Sequence, residues 1–164
     1  MNLDLVNAMD VSAFEKEFGE IAEHSAWVAK AAASRRPFTN LATMTAAFQS
    51  AVLDAPKPAQ LALLNAHPDL ATRAKLTLDS TNEQKGAGLD QLSQVEFRHF
   101  TELNNAYKAK NHFPFIFAVK GATKHQILEA FEQRIHNDAV VEFRTALEQV
   151  CRIISFRLEA RVSP

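Results

Sequence analysis

"DAVVEFRTALEQVCRIISFRLEAR", residues 138–161, decides the fold class. Val140, Phe143, Leu147, Val150 and Ile154 recur at intervals of 3, 4, 3 and 4, which winds them onto one stripe of an α-helix and onto no single face of a strand. The spacing predicts a helix from about Asp138 to Arg161. The next step of three lands on Arg157, so a guanidinium continues an apolar face. That side chain can snorkel to solvent near the helix end, where a cation also suits the dipole. Alternatively it faces a cleft. Arginine stays charged and forks two donors toward one carboxylate, so an anionic ligand or a buried glutamate is its natural partner there.

Upstream segments carry the same period. "SQVEFRHFTELNNAYKAK" opens on a capping box of Ser93 and Glu96 and sets Phe97, Phe100, Leu103 and Tyr107 on one stripe. A helix after Thr123 turns Ile127, Leu128 and Phe131 inward. Between these two, "NHFPFIFAVKG" cannot stay helical through Pro114 and reads as an extended apolar connector. Toward the N-terminus, Val11, Phe14, Phe18 and Ile21 step at helical intervals, "HSAWVAKAAASRR" forms a short helix closed by Pro37, and Leu41, Met44, Phe48 and Val52 line a third. Pro56 and Pro58 stop that helix and open "AQLALLNA". Met44 and the phenylalanines are expected in the core, with Trp27 partly so. Only four glycines occur, strand-like alternation is nearly absent, and Ala, Leu, Glu, Gln and Lys abound. The fold class is all-α, a single-domain multi-helix bundle over residues 1–164.

A chain of 164 residues buries roughly 70 % of the surface its unfolded form exposes, enough for one core. A net charge of -1 lacks the basic excess of nucleic-acid binders, so no nucleic-acid partner is expected. No apolar run approaches the ~20 residues of a membrane span, so no membrane partner is expected. The single Cys151 and the absence of a signal-like N-terminus point to a cytoplasmic setting.

The residues able to carry chemistry cluster in "LNAHPDLATRAKLTLDSTNEQKGAGLD", residues 64–90. A residue before proline is pushed out of the α region, so a helix should end near His67, while Pro68 suits the first turn of a further short helix. His67 then sits at a corner. Asp69 in that first turn is simplest as a helix-dipole partner. Ser80 and Glu83 fit a capping box, S-x-x-E, yet Gly86-Ala87-Gly88 leaves little helix for it to start. Read as a loop instead, Glu83 and Gln84 side by side offer an acceptor and a two-way amide to a urea-like ligand. The six histidines show no metal-ligand spacing, so no metal is expected. There is no phosphate-cradling glycine loop or nucleophile elbow, and Cys151 lies within the last helix stripe.

"AHPDLA" (66–71), "STNEQKGAGLDQL" (80–92), "FTELNNAY" (100–107), "FPFIFAVKG" (113–121) and "RIISFRL" (152–158), in that order, resemble the OHCU decarboxylase family, which acts on 2-oxo-4-hydroxy-4-carboxy-5-ureidoimidazoline in urate degradation. Trp27-Val28-Ala29 and Arg36-Pro37-Phe38 agree with it, so the resemblance covers nearly the whole chain. Ala66 stands where the family commonly has glycine, and Asn111-His112 where it commonly has Phe-Gly.

The resemblance implies an all-helical homodimer with no metal or organic cofactor and a small ureidoimidazoline as its substrate. The reaction it implies is loss of carbon dioxide followed by protonation to (S)-allantoin. Carried over by position, the catalytic histidine falls on His67, beside Pro68. The Ser-x-x-Glu-Gln run falls on Ser80, Glu83 and Gln84, with Glu83 counted as catalytic. The late arginine falls on Arg157, and backbone of Phe113, Pro114, Phe115 and Ile116 lines the pocket. Two other classes compete: a helical interaction module without activity, and a lyase or hydrolase for another ureido acid.

Overall fold

Asn2, Asp10, Asn40, Thr77, Ser93 and Thr123 each turn a side-chain oxygen onto the backbone N–H three residues ahead, and each starts a helix. The structure is a computed structural model and describes residues 1–72 and 76–163. Among these, every regular element is a helix: α1 (Leu3–Ala8), α2 (Val11–Phe18), α3 (Ala26–Ala33), α4 (Leu41–Leu53), α5 (Lys57–Ala66), α6 (Leu78–Gly86), α7 (Gln94–Asn111), α8 (Lys124–Arg134) and α9 (Ala139–Arg161). No helix of the described residues is long and apolar enough to cross a membrane. The short α1 has no counterpart in the periodic pattern, because only Val6 of its six residues is buried.

The chain divides into two compact units, Met1–Ala66 with Val150–Pro164, and His67–Gln149. The first is built on an aromatic cluster in which Phe14 meets Phe18, Phe38 and Phe48 at ring separations of 4.8, 6.2 and 6.0 Å. Met44, Val52, Leu63, Leu64, Val150, Ile154 and Leu158 are buried in the same unit. In the second, Phe115 stacks on Phe131 at 3.9 Å, and Tyr107 stands edge-on to both, at 5.4 and 5.9 Å. Trp27 is half-buried, as its amphipathic ring suggests.

Four apolar stripes shift from their expected registers, the first at Val11, which opens α2 and is 46 % exposed. Phe97 is 47 % exposed and Leu103 only half-buried, because the inward face of α7 runs through Phe100, Asn104, Tyr107 and Asn111. Leu128 is likewise half-buried while Ile127 and Phe131 are fully inside. In α9, Val140 is 83 % exposed; the inward position of that first turn belongs to Glu142, which is fully buried.

His112 ends α7 with φ 65, the left-handed geometry that glycine adopts most easily. The connector after it is irregular and buried from Phe113 to Ile116, as Pro114 requires.

Candidate active site

α5 stops at Ala66, and the adjoining His67 is 8 % exposed. Pro68 opens a turn rather than a helix: the Thr72 N–H and hydroxyl both donate to the Asp69 carbonyl, at 3.3 and 2.9 Å. Residues 73–75 lie outside the described residues. Asp69 is no helix-dipole partner here, since Lys108 on α7 donates to its carboxylate at 3.1 Å. Ala71 has φ 66, a conformation that costs a Cβ-bearing residue about 1 kcal/mol. Two buried side chains brace it. Gln84 Oε1 accepts from Ala71 N–H at 3.1 Å, and Asn104 Nδ2 donates to the Leu70 carbonyl at 2.9 Å.

The capping box expected at Ser80 and Glu83 is not formed. Thr77, three residues earlier, is the cap: its Oγ1 accepts from Ser80 N–H at 3.1 Å and donates to Ser80 Oγ at 2.9 Å. Ser80, Glu83 and Gln84 therefore lie within α6, not in a loop, with Ser80 and Gln84 buried one turn apart and Glu83 half-buried. The glycines end the helix instead of forbidding it. Gly88, at φ 76, lets its own N–H reach Lys85 O at 3.0 Å and that of Leu89 reach Gln84 O at 2.9 Å, the paired bonds of a left-handed helix terminus. Gln84 also lines a cavity of about 250 Å³ with Ala71, Thr72, Leu76, Thr81 and Leu89.

The connector is fixed from the side by Arg134. Its Nη1 donates to Ile116 O at 2.7 Å, and its guanidinium lies 4.4 Å from the centre of the Phe115 ring. The rest of the fork grips Glu142, Nε at 3.1 Å and Nη2 at 2.9 Å from Oε2. Asn137 Nδ2 and the Tyr107 hydroxyl donate to the same carboxylate. Burial pushes the Glu142 carboxyl up, but the donors and charge around it outweigh burial and hold it below the ordinary carboxylate value. Burial and the neighbouring Glu142 together push the Tyr107 hydroxyl well above the ordinary tyrosine value.

Arg157 does not snorkel. It is 5 % exposed, and its Nη1 donates to Glu23 Oε2 at 2.7 Å and to Ile21 O at 3.2 Å. Glu23 is fully buried, the glutamate partner that an arginine on an apolar stripe requires. Of the residues singled out in the sequence, His67, Pro68, Ser80, Glu83, Gln84 and Phe113 to Ile116 belong to the unit His67–Gln149, and Arg157 to the other. Among the described residues no group of three or more His, Cys, Asp or Glu could hold a metal. Sequence reading missed Asn104, Arg134 and Glu142. A signal existed for the first: Phe100, Asn104, Tyr107 and Asn111 also make a 4, 3, 4 stripe, one that runs through two asparagines.

A family model described as OHCU decarboxylase matches residues 7–159. A 2-oxo-4-hydroxy-4-carboxy-5-ureidoimidazoline decarboxylase of Haloferax volcanii is 43 % identical over 163 residues, 99 % of this chain and 97 % of that one. The protein of the same name from Halalkalicoccus jeotgali is 39 % identical over 164 residues, 100 % and 93 % of the two chains. Among solved structures, one described as (S)-allantoin synthase is 31 % identical with a TM-score of 0.79. It matches 99 % of this chain, which spans about half, 54 %, of that longer one. A second, an OHCU decarboxylase in the presence of (S)-allantoin, has a TM-score of 0.74 over 88 % of this chain and 96 % of its own. At 23 % identity that is a likeness of fold. A family match that runs from the second turn of α1 to the last turn of α9, with two near-full-length relatives beside it, places the chain in the OHCU decarboxylase family.

Proposed function

We infer that the chain decarboxylates 2-oxo-4-hydroxy-4-carboxy-5-ureidoimidazoline to (S)-allantoin in urate degradation. The observation that supports this most is the near-full-length similarity to decarboxylases named for that substrate. In this reaction the bond to the carboxylate breaks, its electron pair passes into the imidazoline C=N, whose nitrogen takes a proton, and the neighbouring hydroxyl then gives up its proton as a carbonyl forms while the adjacent ring carbon takes one. The substrate's own unsaturated ring is the electron sink, so the chemistry requires neither metal nor organic cofactor.

His67 is the general acid/base, an imidazole able to move a proton at neutral pH. Glu83 accepts from the ureido and ring N–H groups, and Gln84, whose Oε1 takes the Ala71 N–H, donates from Nε2 to a substrate carbonyl. Ser80 and the backbone beside Pro68 complete the polar lining. The Phe113-Pro114-Phe115-Ile116 wall excludes water from the carboxylate, which favours its loss as neutral carbon dioxide. The working protein is a cytoplasmic homodimer.

The test generates the substrate in situ from urate with two upstream enzymes and follows its ultraviolet decay and the circular dichroism of the allantoin formed. Faster decay with one-handed product is expected. Decay at the background rate with racemic product, from folded protein, would leave an inactive interaction module as the better reading.

Glu83 lies past the first turn of α6, whose cap is Thr77. Glu83→Ala is expected to cost no more than about 1 kcal/mol of stability, as the side chain is only half-buried and alanine is the better helix former, while turnover drops by ~10²-fold or more. Urea denaturation beside the allantoin assay checks both, and a stability loss with undiminished turnover would remove Glu83 from the site.

A further inference from the structure

The Leu70–Ala71 peptide group is held at both polar ends by buried side chains from two different helices. Its carbonyl accepts from Asn104 Nδ2 of α7 at 2.9 Å, and its N–H donates to Gln84 Oε1 of α6 at 3.1 Å. The grip falls where the backbone resists it, next to an alanine with φ 66. Asn104 is only 3 % exposed, and its Oδ1 is buried with no hydrogen-bond partner among the described residues. An unsatisfied buried acceptor weakens a fold, and both neighbours on the inward stripe, Phe100 and Tyr107, present aromatic rings. Packing alone would favour leucine at this position. The amide's worth lies in what its donor holds.

We propose that Asn104 is a positioning residue for the reaction: with Gln84 it clamps the Leu70–Ala71 peptide and thereby sets the orientation of the His67 ring. This rests on His67 as the acid/base. Between His67 and the clamp lie Pro68, whose ring fixes φ, and the Asp69 turn, which Thr72 closes from within and Lys108 holds from α7. Few torsions remain through which His67 could drift while the clamp is closed. With the Asn104 donor gone, the Ala71 geometry is free to relax toward ordinary φ, and the ring moves with the turn. A displacement of about 1 Å costs a reaction on the order of 10²-fold in rate.

Asn104→Leu removes the donor and the unsatisfied acceptor together. Asn104→Asp keeps the shape but turns an oxygen toward the Leu70 carbonyl, and it serves if the leucine variant fails to fold. Both are compared with the wild-type full chain by kcat, KM, the handedness of the allantoin formed and the NMR chemical shifts of the His67 ring, assigned by subtraction with His67→Asn. The expected result is a kcat lower by about 10²-fold, KM changed by less than about threefold, partly racemic product and moved His67 shifts. Unmoved shifts in a folded variant overturn the clamp, whatever the rate. Moved shifts with undiminished turnover overturn the catalytic reading of His67, and the proposal with it.

Discussion

His67→Asn is expected to lower kcat by ~10²–10⁴-fold while the protein stays folded, because general acid/base catalysis by a placed side chain is worth about that much. Asparagine keeps a planar polar group near the imidazole's position, so a buried site loses little packing and about 1–2 kcal/mol of stability at most. It cannot take up and release a proton near neutral pH. The carboxylate can still leave slowly in a water-poor pocket, but the planar intermediate then waits for a proton from solvent. A planar carbon protonated from water has no facial preference. Residual turnover in the variant should therefore give allantoin of reduced handedness, visible by circular dichroism even where the rate is hard to separate from background. Near-normal kcat with one-handed product from His67→Asn would remove His67 from the chemistry.

The elements legible in the sequence are those fixed by local rules. Ser93 and Glu96 form the capping box they spell, and Pro68 ends α5 one residue before His67. Ser80 shows where such rules run out. Its S-x-x-E pattern is sound, but Thr77 offers the same cap chemistry one turn earlier, and the earlier start buries Ser80 and Gln84 on the face of α6 that braces the turn. The periodicity of α9 likewise singles out Arg157 but cannot name Glu23, whose distance of 134 positions along the chain leaves no local trace. Asn104 and Glu142 are hidden for a different reason. Each is a polar residue on an inward face, and a search for apolar stripes steps around them to Leu103 and Val140. In both cases the deviation from hydrophobic register marks the residue with the more specific task.

Arg134→Met is the substitution expected to cost most stability, about 3–5 kcal/mol, out of a total that for domains generally is about 5–15 kcal/mol. Methionine fills the space against Phe115 but leaves the fully buried Glu142 carboxylate without its cation and the Ile116 carbonyl without its donor. The double variant Arg134→Met/Glu142→Gln should recover much of the loss, since the charge that Arg134 compensated goes with it. The pH dependence gives a second, sign-sensitive reading. In the wild type Glu142 is held below its ordinary value of 4.5, so its stabilisation is fully present above pH 4.5 and is lost as pH falls through the lowered folded value. Without Arg134 burial becomes the dominant influence and lifts the carboxyl above 4.5, so stability at this site rises as pH falls through the lifted value and levels off below 4.5, where the unfolded chain is protonated too. Urea denaturation from about pH 3 to about pH 8 should therefore show Arg134→Met gaining on the wild type as pH falls, and Glu142→Gln flattening the wild-type acid limb. A cost below about 1 kcal/mol, or parallel pH profiles, would mean that the carboxylate is solvated by something other than Arg134. If the large cost is found, one arginine both neutralises Glu142 and fixes the carbonyl of Ile116, so the shape of the Phe-Pro-Phe-Ile wall and the stability of its unit depend on the same side chain.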